Sequence, residues 1–329
     1  MTTEQLRLYC ELDRSVRVLV AGSGGLVGSA VVRALGAAGF SDVVGARSAQ
    51  VDLRDAGAAR EFVTAARPEV VVDAAARVGG IAANNARPVE FLHDNLRIQA
   101  NLLDAAHAAG TERLLFLGSS CIYPKFAEQP IREDSLLTGA LEPTNDAYAI
   151  AKIAGIMGVQ SYRREYGRRW ISAMPTNLYG PGDNFDLESS HVLPALIRKF
   201  HEATVNGDAT VTVWGTGSPR REFLHVDDLA AACVHLLEAY DDPAPINVGT
   251  GEDVTIAELA SAVARTVGFS GDIVYDTSRP DGTPRKVLDV SKIAATGWKP
   301  RIGLTEGLAA TYRWYLDHYV NEAGHKGRL

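Results

Sequence analysis

Val16-Arg17-Val18-Leu19-Val20-Ala21-Gly22-Ser23-Gly24-Gly25-Leu26-Val27-Gly28 is the stretch that decides how this chain folds. Residues 16–20 are a short apolar, β-branched run with the composition of a strand. The run enters a glycine-rich turn, and apolar residues at helical spacing follow over 27–38. Strand, glycine turn and helix in that order make a cradle for a dinucleotide. One glycine permits the tight turn, another lets backbone N–H groups approach the pyrophosphate, and Gly28 lets helix and strand pack closely. The amino terminus of the helix then faces the phosphate charge. On this reading Gly22, Ser23, Gly24, Gly25, Leu26, Val27 and Gly28 border a cofactor.

Outward from the turn, strand-like runs at 43–44, 70–73, 114–117 and 171–174 alternate with helical patterns at 58–66, 89–109 and 147–166. That alternation predicts an α/β chain with a doubly wound parallel (Rossmann) sheet. After Pro181 the rhythm changes: a Gly/Asp/Asn loop, a helix near 193–203, a strand near 211–214, and Pro/Gly-rich loops at 215–219 and 280–284. The expected division is a dinucleotide-binding domain over 1–182, with a returning segment at about 222–250, and a smaller α/β substrate-binding lobe over 183–221 and 251–329.

The 329 residues carry 33 Lys plus Arg against 40 Asp plus Glu, a net charge of -7 that argues against nucleic acid or an anionic membrane as partner. Cys10, Cys121 and Cys233 are odd in number and widely spaced, which suggests free thiols in a reducing compartment and neither a disulfide framework nor a metal site. Neither a secretory leader nor a membrane span is recognisable, so the expected location is the cytoplasm. The residues before Val16 read as a tail or a short packed helix.

The end of the second strand, Gly45-Ala46-Arg47-Ser48, offers a base and no acid, which favours the 2'-phosphate of NADP, with NAD possible. The strand at 114–117 ends in Gly118-Ser119-Ser120-Cys121-Ile122-Tyr123-Pro124, at the sheet edge where ligands bind. Tyr148 and Lys152 lie four apart on one helix face. A tyrosine can protonate a ketone oxygen as hydride arrives if its phenolate is stabilised, and a neighbouring ammonium does that. Lys152 is expected to supply this charge and to bond the nicotinamide ribose, while Ser119 holds the carbonyl oxygen beside Tyr148.

The glycine turn with Ser119, Tyr148 and Lys152 resembles the extended short-chain dehydrogenase/reductase family of nucleotide-sugar enzymes. Within it, GSSCIYPK, LEPTNDAYAIAKIAG, MPTNLYGPGDNF and REFLHVDDLA are similar to the GDP-L-fucose synthase branch, and the likeness runs from about residue 16 to the carboxyl-terminal helix. The resemblance implies a GDP-linked 4-keto-6-deoxy-hexose substrate, inversion at C3 and C5, NADPH-dependent reduction at C4, and a homodimer. It assigns the proton transfers of inversion to Cys121 and His191 and leaves open which is base and which acid. It also implies substrate contacts from His191, Lys199, Trp214, Arg221, Asp281 and Lys286, and a nicotinamide-side wall from Pro175, Thr176, Asn177 and Leu178. Trp214 can pack against the base and Arg221 can fork onto the diphosphate. Asn95 is expected to order the active-site strand. The chain departs from the pattern at Gly24, where the family often carries an arginine that grips the 2'-phosphate. Two other readings in the same fold are an enzyme for another GDP-linked keto-sugar and a C4 epimerase that retains NAD. A non-catalytic dinucleotide sensor would not need Ser119, Tyr148 and Lys152 together.

Overall fold

The side chains of the first strand, β1 (Arg17–Ala21), divide between two cores: Val18 and Val20 enter one, Leu19 and Ala21 the other. A strand buried on both faces belongs inside a parallel sheet covered by helices on either side. In the computed structural model, which describes residues 12–279 and 281–320, β1 lies between β2 (Asp42–Ala46) and β3 (Val70–Asp73). The sheet continues through β4 (Arg113–Leu117) and β5 (Arg169–Pro175), and all these pairings are parallel. The amino-terminal extension, Cys10 included, lies almost wholly outside the described residues.

Helices α1 (Leu26–Ala37), α2 (Ala56–Ala66), α3 (Ile81–Ala86), α4 (Pro88–Ala108) and α5 (Asp146–Tyr166) alternate with these strands along the chain. The six-residue α3 was not foreseen, because a single turn and a half is too short for apolar periodicity to register. Beyond β5 the chain forms β6 (Asn177–Tyr179), α6 (Val192–Asn206), β7 (Thr210–Trp214), β8 (Arg220–Arg221), β9 (Phe223–His225) and α7 (Val226–Ala239). Strand β10 (Ile246–Val248) then joins the edge of the large sheet beside β5, giving the order β10-β5-β4-β3-β1-β2. Order reverses between β1 and β3, and the crevice above such a switch point is where α/β sheets take ligands.

The rest of the chain supplies β11 (Val254–Thr255), α8 (Ile256–Val267), β12 (Asp272–Asp276), β13 (Arg285–Lys286), α9 (Ser291–Ala295) and α10 (Leu304–Trp314). A third core gathers Leu196 and Phe200 of α6, Leu259 and Val263 of α8, Leu308 of α10 and Val213 of β7. Among the described residues three small sheets accompany the large one: β12 with β7, β11-β8-β13, and β6 with β9. Among the described residues no helix is long and apolar enough to cross a membrane.

Two glycines set the junction of β1 with α1. Gly22 has φ +77°, and a Cβ there would lie 2.7 Å from the Ala74 carbonyl oxygen. A Cβ on Gly28 would drive into the Gly22 carbonyl, a backbone atom that cannot swing aside. Gly36, on the same helix, has nothing within 4 Å of its missing Cβ. Gly28→Ala should therefore destabilise the fold by about 1–3 kcal/mol through overpacking, whereas Gly36→Ala should be neutral or stabilising by up to about 1 kcal/mol. Urea denaturation of both variants checks this, and equal midpoints would contradict it.

Candidate active site

A cleft of about 1740 Å³ runs along the carboxyl ends of the large sheet, with β7, β8, β13 and the start of α6 contributing to its far wall. Gly22, Gly24, Gly25, Leu26 and Val27 line its floor. Gly25 is the N-cap of α1 without a side-chain cap, and the first turn holds no acid, so the leading N–H groups remain for an anion. Ser23 and Gly28 stand behind the turn, away from the cleft wall. Ser23 is buried with its hydroxyl lacking a partner, and Gly28 serves the packing of helix on strand.

At the outer end, the stem of Arg47 lies across Gly24, 3.6 Å from where that residue's Cβ would stand. Arg54 is engaged by Asp52 and Asp94, and Arg77 by Glu90 and Asp94. Among the described residues no ion pair is found for Arg47. This leaves it the available cation where a ribose phosphate would sit.

Deeper in the cleft, the turn after β4 and the first turns of α5 bring Ser119, Cys121, Tyr148 and Lys152 together. Ser119 caps the short 120–122 turn and accepts the Cys121 N–H at 3.2 Å. The Tyr148 phenol is pushed above its ordinary value by burial and then by the charge of Cys121, with a Ser119 hydrogen bond opposing. Lys152 is buried, and its ammonium donates to the Leu117 carbonyl at 2.8 Å and lies 4.8 Å from the centre of the Phe116 ring. The expectation that Lys152 directly stabilises the Tyr148 phenolate is not met in this arrangement. Helical spacing puts the two residues on one face, but the lysine stem turns inward to a buried carbonyl.

Asp73, the last residue of β3, stands near the same lysine and was not anticipated from the sequence. It is 1% exposed, one carboxylate oxygen accepts the Ala75 N–H at 3.1 Å, and the other lacks a partner. Burial pushes its pKa up to about 6 against the pull of Lys152, and burial pulls that of Lys152 down to about 8 against the pull of Asp73. The available signal was an acid closing an otherwise all-valine strand, VVVD.

His191 is the N-cap of α6 and lines the opposite side of the cleft. Its pKa is lowered by the surrounding protein and then by the charge of Lys286, so the neutral imidazole is favoured. Lys286, read as a substrate contact, lines the cleft and points its ammonium at the Cys121 sulfur, 3.5 Å away. Asn145, at the start of α5, donates to the same sulfur at 3.4 Å. The Cys121 thiol is held below its ordinary value: burial opposes ionisation, but Lys286, Ser119 and Arg221 together outweigh it.

The remaining residues fall in two groups. Trp214 is 55% exposed at the end of β7, with Lys199 and Arg279 5.2 and 5.1 Å from its ring centre, an open platform flanked by cations. Arg221 lines the cleft, while Asp281 is committed to the N–H and hydroxyl of Thr216 at 2.7 and 2.9 Å. Pro175, Thr176, Asn177 and Leu178 also border the cleft, yet the Asn177 amide donates to the Glu222 carbonyl at 2.8 Å, a structural tie. Asn95 does not order β4. Its side chain bonds both the N–H and the carbonyl of Arg77, fixing the loop after β3.

The sequence model of the "NAD dependent epimerase/dehydratase family" matches residues 18–249. GDP-L-fucose synthase 1 of Arabidopsis thaliana is 56% identical over 309 residues, covering 94% of this chain and 96% of that protein. GDP-L-fucose synthase of Escherichia coli K12 is 51% identical over 311 residues, covering 92% and 97%. Among solved structures, a GDP-L-fucose synthetase from Naegleria fowleri bound to NADP superposes with a TM-score of 0.86 at 30% identity, covering 94% and 97%.

The pairing of Asp73 with Lys152 carries its own expectation. Asp73 raises the pKa of Lys152, so Asp73→Asn should let the ammonium lose its proton at lower pH. The alkaline limb of the pH–activity profile should move to lower pH in this variant, and an unchanged limb would contradict the coupling.

Proposed function

Since the chain belongs to the NAD dependent epimerase/dehydratase family and to its GDP-L-fucose synthases, we propose that it converts GDP-4-keto-6-deoxy-D-mannose to GDP-L-fucose by C3/C5 epimerisation followed by NADPH-dependent reduction at C4. The observation that carries this reading is one cleft with Ser119 from the turn after β4 and Tyr148 from α5 beside Cys121, and His191 on the opposing wall. A ketone at C4 makes the protons on C3 and C5 removable, because the resulting charge spreads onto oxygen as an enolate. Ser119 and Tyr148 hold that oxygen. Cys121 and His191 exchange the ring protons, and Tyr148 later protonates the oxygen at C4. When bound, NADPH supplies the hydride.

The cradle fits such a cofactor: glycines where side chains would collide, an uncapped helix terminus, and Arg47 at the lip. We assign the 2'-phosphate to Arg47, with Gly24 leaving room for its stem and NADH remaining usable. The GDP moiety is assigned to Trp214, Lys199 and Arg221, with Asp281 shaping the wall through Thr216. Residues 1–182 with 222–250 form the NADP side and the remainder the sugar side. Free thiols and a nucleotide-sugar substrate suit the cytoplasm. The exposed Ile150 and Met157 on α5 support a homodimer packed through that helix.

Incubation with GDP-4-keto-6-deoxy-D-mannose and NADPH in deuterated water should yield GDP-L-fucose with solvent deuterium at C3 and C5. A product with unchanged ring configuration would assign the chain to another keto-sugar, and turnover without net NADPH oxidation would make it a C4 epimerase. Tyr148→Phe should lower the reduction rate by about 10²–10⁴-fold. Arg47→Ala should raise KM for NADPH by roughly tenfold and leave KM for NADH nearly unchanged, by loss of about one charged contact.

A further inference from the structure

Strands β8 and β13 place like charges directly opposite each other twice: Arg220 against Arg285, and Arg221 against Lys286. Such pairs are unfavourable unless an anion lies between them. The first pair has one, since Arg220 and Arg285 each bond a carboxylate oxygen of Asp253, at 2.6 and 2.5 Å. For the second pair no carboxylate ion pair is found among the described residues. What the Lys286 ammonium meets is the sulfur of Cys121.

We propose that Lys286 is a positioning residue that holds the Cys121 sulfur as a thiolate before any substrate arrives, the thiol proton having passed to solvent. This rests on the proposed role of Cys121 in ring inversion and adds how that sulfur is prepared. The ammonium is pre-set by main chain: Lys286 pairs with Arg221 in register, and its carbonyl accepts the Glu222 N–H at 3.3 Å. Asn145 completes the cradle from α5, so two N–H donors from separate elements converge on one sulfur. The groups facing that sulfur are Ser119 and Tyr148, the two cations Lys286 and Arg221, and across Lys286 the imidazole of His191. Glu142 and Asp281 act on Arg221 from behind. Cations outnumber acids at the sulfur, and the thiol is displaced toward its ionised form even though it is enclosed. After desolvation, Lys286 also disfavours the imidazolium of His191, so one ammonium acts on both proton-transfer groups.

The test is alkylation of Cys121 by iodoacetamide as a function of pH in protein free of sugar and cofactor, read peptide by peptide with mass spectrometry. The wild-type rate should reach half its maximum well below the ordinary thiol value of about 8.5. Lys286→Gln should move that midpoint up by about one pH unit or more, and Lys286→Arg should keep it low. A wild-type midpoint at the ordinary value overturns the proposal even if the glutamine variant does not fold. An unchanged midpoint in folded Lys286→Gln overturns it too, and a raised KM for the GDP-sugar there would leave Lys286 as a substrate contact only. Because neither sugar nor NADPH is present, the outcome is independent of whether GDP-L-fucose is the product.

Discussion

The contact of main chain with main chain where β1 meets α1 is the constraint on which the rest of the molecule depends. Without side chains at Gly22 and Gly28, the turn folds back against Ala74 and the helix seats on the strand. The uncapped amino terminus of α1 is thereby aimed over the switch point between β1 and β3. From that point the cleft runs one way to Arg47 beyond β2 and the other way along the sheet edge past β4. The turn after β4 and the start of α5 hold Ser119, Tyr148 and Lys152 along that line.

A second joint connects this sheet to the sugar-side wall. Glu222 is buried, and its carboxylate accepts the N–H groups of Thr250, Gly251 and Leu288, while its carbonyl accepts from Asn177. One residue thus ties the segments following β10 and β13 through its side chain and the segment following β5 through its main chain. Burial raises the carboxyl's pKa, and the hydrogen bonds of three amides oppose that shift. The consequence for the site is geometric. Lys286, which sits in the same knot, keeps a fixed distance from Cys121 on the opposite part of the cleft.

Desolvation leads the influences on Tyr148, Lys152, Asp73 and also His191, though His191 is exposed on the cleft wall: it raises Tyr148 and Asp73 and lowers Lys152 and His191. Each is driven toward its neutral form, as desolvation requires. Cys121 goes the other way because two cations stand opposite it. Tyr148 and Cys121, neighbours in one cleft, are thus shifted in opposite directions, a difference made by environment.

The alternation of strand and helix, the glycine turn and the parallel sheet were legible in the sequence. They follow from local rules: apolar periodicity, the steric freedom of glycine and helix-terminus charge act over a few neighbouring residues. Ser119, Tyr148 and Lys152 could be proposed from residue types at short spacing, and Cys121 from the family resemblance; the structure places all four on one cleft. Asp73, Asn145 and the actual partners of Lys286, Asn177 and Asn95 were not, because each depends on a contact between segments far apart in the chain. Lys286 meets a sulfur 165 residues away, and Asn177 a carbonyl 45 residues on. What the sequence by itself determined was the strand, glycine turn and helix that make the cradle, and the residue types offered along the sheet edge. The tertiary structure decided which of them touch and carry charge, since burial and long-range pairing fix a pKa and neither is encoded in local order.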